Sequence, residues 1–140
     1  MVIVPASISW PNGLPYSNDF GDIYFSLDDG LAEKDYVFLQ ANHLAQRFAA
    51  LAADTSFTIA ETGFGTGLNF LLSWYLWEQY APKTSCLHFI SCEKHPLSLK
   101  DLRKAFDLWP ELKTQAEQFL GAYPLLTPGY HYLSFSEGRI

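Results

Sequence analysis

Three glycines spaced two residues apart give the clearest chemical signal in this chain of 140 residues: Gly63, Gly65 and Gly67. They follow a β-prone run, 57–62, and lead directly into a segment whose apolar spacing predicts an amphipathic helix. Glycines at the carboxyl end of a strand allow a tight turn and let a ligand approach the backbone. The pattern therefore predicts a loop that presents backbone amides to a nucleotide-like cofactor.

Two acidic residues accompany this loop. Glu61 ends the first predicted strand, and Glu93 ends a second one, 86–92. A carboxylate at the second position can accept both ribose hydroxyls of a dinucleotide or of S-adenosylmethionine. Dinucleotide loops usually have the spacing G-x-G-x-x-G, which seats a pyrophosphate, whereas S-adenosylmethionine carries an ammonium group and no phosphate. The even spacing and Glu61 favour S-adenosylmethionine, with a dinucleotide and a purely structural turn as alternatives.

Composition and charge limit the class of protein. Hydrophobic residues make up 49% and aromatic residues 16% of the chain, which predicts a folded core within one domain. The net charge of -6 argues against a surface dominated by nucleic-acid binding. A solvated helix face is favoured over an RNA contact for the one local basic group, Lys94, Lys100, Arg103 and Lys104.

The cysteines and histidines give no sign of a metal site or a disulfide. Cys86 and Cys92 lie too far apart along one predicted strand to bond to each other, so buried, reduced thiols are expected, as in a cytoplasmic protein. The four histidines lack metal-ligand spacing, and His88 is predicted to be a core residue. No signal peptide is visible, and no apolar run approaches the ~20 residues that a membrane span needs.

The order of elements predicts an α/β fold with a parallel, doubly wound sheet. Residues 1–32 are expected to form an N-terminal arm with short strands, and residues 33–140 the first part of a Rossmann-like domain. The predicted helices cover 33–52, 68 to Pro82, Ser98 to about Trp109, and Pro110 to about Gly121. At the end, 131–135 alternates like a strand, 136–138 is a hairpin turn and 139–140 begins a return strand. The remaining strands are expected beyond Ile140.

Several segments together resemble one family. Residues 61–71, ETGFGTGLNFL, are similar to the cofactor loop in the methyltransferase half of the MnmC family, bifunctional proteins of tRNA 5-methylaminomethyl-2-thiouridine biosynthesis. Residues 19–26 resemble that family's F-D-D-x-Y-F-S segment, with Gly21 departing from it, and 89–97 resemble its F-I-S-x-E-K-x-P-L strand end. Further matches lie at 30–33, 36–39, 109–112 and 128–131. The chain is thereby identified as an N-terminal piece of an MnmC-like methyltransferase.

The resemblance implies a Rossmann-like class I S-adenosylmethionine-dependent methyltransferase fold, truncated after its first strands. It implies that the complete enzyme methylates the 5-aminomethyl group of the wobble uridine in tRNA. FAD is implied only if the parent protein carries the family's second, oxidoreductase domain. The implied cofactor-binding residues are Glu61, Gly63, Phe64, Gly65, Thr66, Gly67, Asn69, Glu93 and Lys94; the candidates for a pocket wall, with core packing as the alternative, are Tyr24, Phe25 and Tyr36.

The catalytic residues are not among these positions. The family's Gly-Asp pair and its D-G-F-A-P-like segment do not occur in this chain, so the catalytic residues are expected beyond Ile140 and the fragment is expected to be inactive alone. Two other functions stay open at this point: a nicotinamide-dinucleotide oxidoreductase, and a non-catalytic, truncated binding module. The sequence leaves the oligomeric state open.

Overall fold

The computed structural model of the chain describes residues 2–25 and 39–140. Its elements in chain order are β1 (Ile8–Ser9), β2 (Tyr16–Ser17), β3 (Asp22–Ile23), α1 (Leu44–Ala49), β4 (Ser56–Thr62), α2 (Leu68–Tyr80), β5 (Cys86–Cys92), α3 (Leu99–Phe106) and α4 (Lys113–Ala122). Short 3₁₀ turns occur at Pro11–Gly13, Pro110–Leu112 and Ser136–Gly138. An α/β architecture is therefore confirmed.

Strands β4 and β5 form a parallel pair, as the sequence predicts. Their register runs from Ser56 opposite Cys86 to Thr62 opposite Cys92. Because the carboxyl ends of parallel strands meet at one edge of the sheet, the glycine loop after β4 and Glu93 after β5 are brought together. The sheet thus positions the two parts of the predicted site.

Only one face of this sheet is covered by the described helices. Phe57, Ile59 and Leu87 turn toward α2 and are buried or half-buried. The opposite face is exposed and consists of Thr58, Ala60, Thr62, His88, Ile90 and Cys92. The predicted doubly wound sheet would have helices on both faces, whereas the described residues cover only one.

This open face corrects two predictions about single residues. Both cysteines are free, but Cys92 is exposed and Cys86 is only half-buried, so the prediction of buried thiols is wrong. His88 is exposed as well and is not a core residue. The physical reason is the same for all three residues: strand residues two apart share a face, and none of the described helices covers this one.

Helix α2 lies at the centre of the hydrophobic core. Trp74 and Trp77 are fully buried, and Trp77 packs against Phe48 of α1 with ring centroids 4.9 Å apart. Phe70 packs against Phe89 of β5 at 5.1 Å. Burial on most sides distinguishes α2 from the amphipathic helix that the sequence predicts, because α1, α4 and the sheet all pack on it.

The N-terminal arm forms a small antiparallel sheet in the order β1-β2-β3. Its Trp10 Nε1 donates a hydrogen bond to Asp101 Oδ1 on α3 at 3.2 Å, and the Lys104 ammonium lies 4.3 Å from the Trp10 ring centroid. The amide of Ala6 donates to the carbonyl of Pro96, in the loop after β5. The arm is thus held against α3 and the edge of the predicted site.

Two predicted elements differ from the structure. The first part of the predicted helix 33–52 lies outside the described residues; in the described part, α1 begins at Leu44, directly after His43, whose left-handed backbone has φ 52°. Near the chain end, 131–135 is not a strand. The backbones of Phe135 and Ile140 bond to each other across the turn, but no described strand pairs with 131–134.

Candidate functional site

The glycine loop connects β4 to α2 through three left-handed residues. Gly63, Gly65 and Gly67 have φ values of 83°, 56° and 74°. The amide of Gly63 donates to the carbonyl of Cys92, which extends the pairing of the two strands by one bond. A residue with a side chain would be strained at each of these φ values, so the loop conformation requires glycine at all three positions.

Glu93 closes the loop from the neighbouring strand. Its Oε2 accepts a hydrogen bond from the amide of Gly65 at 2.9 Å, and its Oε1 accepts one from the amide of His95 at 2.8 Å. An ionised carboxylate offers about four acceptor positions, so the two hydrogen bonds from backbone amides leave room for about two further donors. The carboxylate therefore fixes the middle of the glycine loop and can still accept bonds from a ligand.

Glu61 is held in place by donors from two other elements. Ser91 of β5 donates from its hydroxyl to Glu61 Oε1 at 2.9 Å, and Asn69 of α2 donates from Nδ2 to Glu61 Oε2 at 3.0 Å. Both donors are neutral, so they orient the carboxylate without cancelling its charge. A negative charge is thus fixed beneath the glycine loop, between the end of β4 and the first turn of α2.

Tyr24 brings the N-terminal arm to the site. A Cβ atom on Gly65 would lie 3.6 Å from the Tyr24 ring, so the ring borders the loop. Burial, followed by the negative charge of Glu93, raises the pKa of the Tyr24 phenol above its usual value, and a hydrogen bond with Ser17 acts in the opposite direction. The Tyr24 ring therefore borders the loop at Gly65, within range of the Glu93 charge.

The other two candidates for the pocket wall are placed differently. Phe25 is 4% exposed and packs against Trp109 with ring centroids 5.1 Å apart, as a core residue does. Tyr36 lies outside the described residues.

A cleft opens at the carboxyl end of β5. It has a volume of about 360 Å³ and is lined by Gly63, Cys92, Glu93 and Lys94. This volume is within the range of small-molecule sites, roughly 300–1,000 Å³. In residues 2–25 and 39–140, no group of three or more potential metal-ligating side chains occurs, and none of the helices is long and apolar enough to cross a membrane.

One tyrosine near the site, Tyr123, is expected to make the stability of the chain depend on pH in the alkaline range. Tyr123 donates its hydroxyl hydrogen bond to the carbonyl of Leu97 at 3.0 Å. Burial, and then the charge of Glu93, raises its pKa from 10.0 to about 12. In the unfolded chain the phenol loses its proton near pH 10, so its contribution is complete below pH 10 and is lost as the pH rises through 12.

Between about pH 10 and pH 12, we therefore expect the free energy of unfolding to fall by about 1 kcal/mol more in the native chain than in Tyr123→Phe. This value allows for solvent screening, because the phenol is only partly buried. Chemical denaturation across that range measures the difference. Tyr130→Phe is the matched control, because Tyr130 is fully exposed. Parallel pH profiles for the native chain and Tyr123→Phe would contradict the expectation.

With the geometry in place, comparison with known proteins identifies relatives along the whole chain. The tRNA 5-methylaminomethyl-2-thiouridine biosynthesis bifunctional protein MnmC of Legionella pneumophila (strain Philadelphia 1) is 53% identical over 140 residues, which is 99% of this chain and 21% of that protein. The chain is a homologue of MnmC. The protein of the same name from Stutzerimonas stutzeri is 53% identical over 136 residues, and that from Methylobacillus flagellatus is 50% identical over 135. No family model matches the chain.

The resemblance to MnmC that the sequence motifs indicate is thereby confirmed. The chain spans about a fifth of the length of these MnmC proteins, 21% in each of the three. Their name assigns those proteins to the biosynthesis of a modified uridine in tRNA.

The structure brings together most of the residues to which the sequence motifs point. Glu61, the three glycines, Asn69, Glu93 and Lys94 surround the loop and the cleft. Phe64 packs under the loop against Phe119, and Thr66 is buried. Ser91 and Cys92 are not among the site residues that the sequence predicts, although the pairing of Glu61 with Ser91 can be inferred once the two strands are aligned in parallel.

Proposed function

We propose that this chain forms the S-adenosylmethionine-binding part of a methyltransferase that acts on the 5-aminomethyl group of the wobble uridine in tRNA. The observation that supports it best is the contact between Glu93 and the amide of Gly65, at 2.9 Å. It places an acid that can accept ribose hydroxyls, at the end of β5, against the glycine loop at the end of β4.

The same contact argues against a dinucleotide. A pyrophosphate binds glycine loops through backbone amides, and the middle amide here already donates to a carboxylate. The fixed charges of Glu61 and Glu93 would also repel a pyrophosphate. Lys94, which lines the cleft, supplies one opposing charge. The charge around the loop thus suits a ligand that carries an ammonium group and hydroxyls.

The residues fit this ligand in separate roles. Glu93 retains acceptor positions for the two ribose hydroxyls, while Glu61 provides a negative charge for the ammonium group of the methionine end. A Cβ atom added to Gly63 would meet no other atom within 4 Å, so a ligand can lie directly against the backbone there. S-adenosylmethionine supplies an electrophilic methyl group on a sulfonium when it is bound.

Methyl transfer requires the enzyme to align the two reactants and does not require a covalent nucleophile on the enzyme. An amine that accepts a methyl group must be neutral and in line with the breaking bond, so the protein has to orient the two reactants and remove a proton. The described residues supply the orientation of one reactant. The proposal that tRNA is the other rests on the name of the relatives and on the identity of 53% to them.

Calorimetric titration of the chain with S-adenosylmethionine and with S-adenosylhomocysteine tests the cofactor. We expect saturable binding of both, and at least a tenfold weaker affinity in Gly65→Val, because a β-branched residue is strained at φ 56° and would displace the amide from Glu93. Gly13→Val is the matched control, since Gly13 has φ 80° and lies in the N-terminal arm.

The MnmC protein of Legionella pneumophila, titrated in parallel, checks the conditions. If that protein binds the ligands and this chain does not, the proposed cofactor is wrong. Saturable binding of NADH that Glu93→Ala weakens would favour the dinucleotide alternative instead. Transfer of labelled methyl by the complete enzyme to tRNA that carries 5-aminomethyluridine then tests the substrate.

A further inference from the structure

The carboxylate of Glu61 is held from two sides, in a clamp formed by Ser91, to which the sequence assigns no role, and Asn69, which the family resemblance implies only as a cofactor-binding residue. Ser91 Oγ lies 2.9 Å from Oε1 and Asn69 Nδ2 lies 3.0 Å from Oε2. The donors belong to β5 and to the first turn of α2, so the clamp joins three elements at one charged group. We propose that Ser91 and Asn69 are positioning residues that aim the Glu61 charge at the ligand's amino group and so set the preference for ligands with an amino-acid end.

The register of the strands fixes one side of the clamp. Ser91 is directly opposite Glu61 in the parallel pair, so both side chains leave the sheet on the face that α2 covers. On the exposed face the neighbouring pair, Thr62 and Cys92, points away from α2. The hydroxyl of Ser91 is therefore held at a fixed distance from Glu61 by the backbone pairing itself.

The Asn69 amide forms the other side of the clamp. If its oxygen faced Glu61, two acceptors would oppose each other, so the nitrogen must face the carboxylate. Among the residues that the structure describes, Asn69 Oδ1 then has no hydrogen-bond partner, although it is buried. A buried unpaired carbonyl costs free energy, and this cost accompanies the hydrogen bond that the amide donates to Glu61. The clamp thus favours one orientation of the carboxylate at some expense in stability.

The fixed orientation of Glu61 favours the binding of a cation. A carboxylate that is free to rotate loses conformational entropy when it binds a cation, whereas a carboxylate fixed in advance does not. Because Ser91 and Asn69 are neutral donors, their bonds do not neutralise the charge that attracts a cationic group of the ligand. The inference rests on the proposed function, since it assigns the cationic group to the amino-acid end of the cofactor.

The test compares two ligands that differ in one group. S-adenosylhomocysteine carries the amino group, and its deamino analogue keeps the carboxylate and lacks only the amine. We expect the native chain to prefer S-adenosylhomocysteine, and Ser91→Ala to reduce the ratio of the two dissociation constants by about tenfold, the worth of one hydrogen bond to a charged group. Ser91→Thr, which retains the hydroxyl, should restore the ratio. Glu61→Gln defines the ratio that remains without the charge.

Ser85→Ala is the matched control. Ser85 is buried and donates to the carbonyl of Ala52, but it precedes the amino end of β5, roughly 20 Å of strand away from Ser91. This change should lower the melting temperature and leave the ratio unchanged. Asn69→Leu gives a second variant, which removes the donor to Glu61 Oε2 and replaces a half-satisfied amide by an apolar group of similar size and higher helix propensity. It should reduce the ratio as Ser91→Ala does.

The outcomes separate the two proposals. If the native chain prefers S-adenosylhomocysteine and neither Ser91→Ala nor Asn69→Leu changes the ratio, the clamp is only structural and the inference is wrong, while the proposed function stands. The inference is equally wrong if the native chain binds both ligands with the same affinity. If the native chain binds neither ligand, both proposals are wrong.

Discussion

Gly67→Ala is expected to destabilise the chain by about 3 kcal/mol, although it adds a single methyl group. The backbone at Gly67 is left-handed, with φ 74°, which costs an alanine about 1 kcal/mol. The new Cβ would also lie 2.6 Å from Cζ of Phe64, and overpacking of this kind costs about 2 kcal/mol more. The Phe64 ring packs against Phe70 and Phe119, at 6.3 and 5.5 Å between centroids, so it cannot move aside freely.

Gly63→Ala separates the two contributions. Gly63 has a similar φ of 83°, but a Cβ there meets nothing within 4 Å, so we expect a loss of only about 1 kcal/mol. The double variant Phe64→Leu/Gly67→Ala should cost less, relative to Phe64→Leu alone, than Gly67→Ala costs in the native chain. Chemical denaturation of the four variants measures these values. Equal losses for Gly63→Ala and Gly67→Ala would show that the Phe64 contact is unimportant.

This loop also shows what can be predicted from the sequence. The glycines, Glu61 and Glu93 stand out because their residue types and spacing are tied to strand ends, which local patterns reveal. The predicted strand 86–92 coincides with β5 for the same reason. A bond such as that from Gly65 to Glu93 depends on how two strands pair, so it becomes visible only in three dimensions.

The errors have an equally physical origin. Alternation along β5 shows that two faces exist but does not show whether a second layer covers each of them, so the sequence wrongly predicts burial of Cys92 and His88. The apolar spacing along α2 predicts one buried face and so understates the burial of this helix, because residues such as Trp74 pack against Phe135 near the chain end. Contacts between residues distant in sequence decide both cases.

Glu78→Ala is the second change with a large expected effect, a loss of about 3 kcal/mol in the free energy of unfolding. Glu78 Oε1 accepts hydrogen bonds from Trp74 Nε1 at 2.7 Å and from the Ser136 hydroxyl at 2.8 Å, and Oε2 accepts one from Gln115 Nε2 at 2.9 Å. Trp74 and Gln115 are buried, so truncation of Glu78 leaves the Gln115 amide without its acceptor and Trp74 Nε1 with only the Ser136 hydroxyl, at 3.1 Å.

The same change should release the end of the chain. Ser136 and Glu137 both have positive φ values, 49° and 58°, and such strained residues persist only where their surroundings hold them. The hydrogen bond from Ser136 to Glu78 is one of the contacts that hold this turn. In Glu78→Ala, amide hydrogen exchange should therefore accelerate more at 135–140 than it does in α3.

Glu117→Ala provides the control for a lost carboxylate on a helix. Glu117 forms an ion pair with Lys113 at 3.7 Å, and both side chains are largely exposed, so its removal should change the stability by less than about 0.5 kcal/mol. Glu78→Gln retains one carbonyl acceptor, so its loss of stability should lie between those of Glu78→Ala and Glu117→Ala. If Glu78→Ala and Glu117→Ala destabilise the chain equally, the hydrogen bonds of Glu78 are not what fixes the chain end against α2. A loss confined to Glu78→Ala, together with faster exchange at 135–140, would identify this carboxylate as the group that joins α2, α4 and the terminal turn.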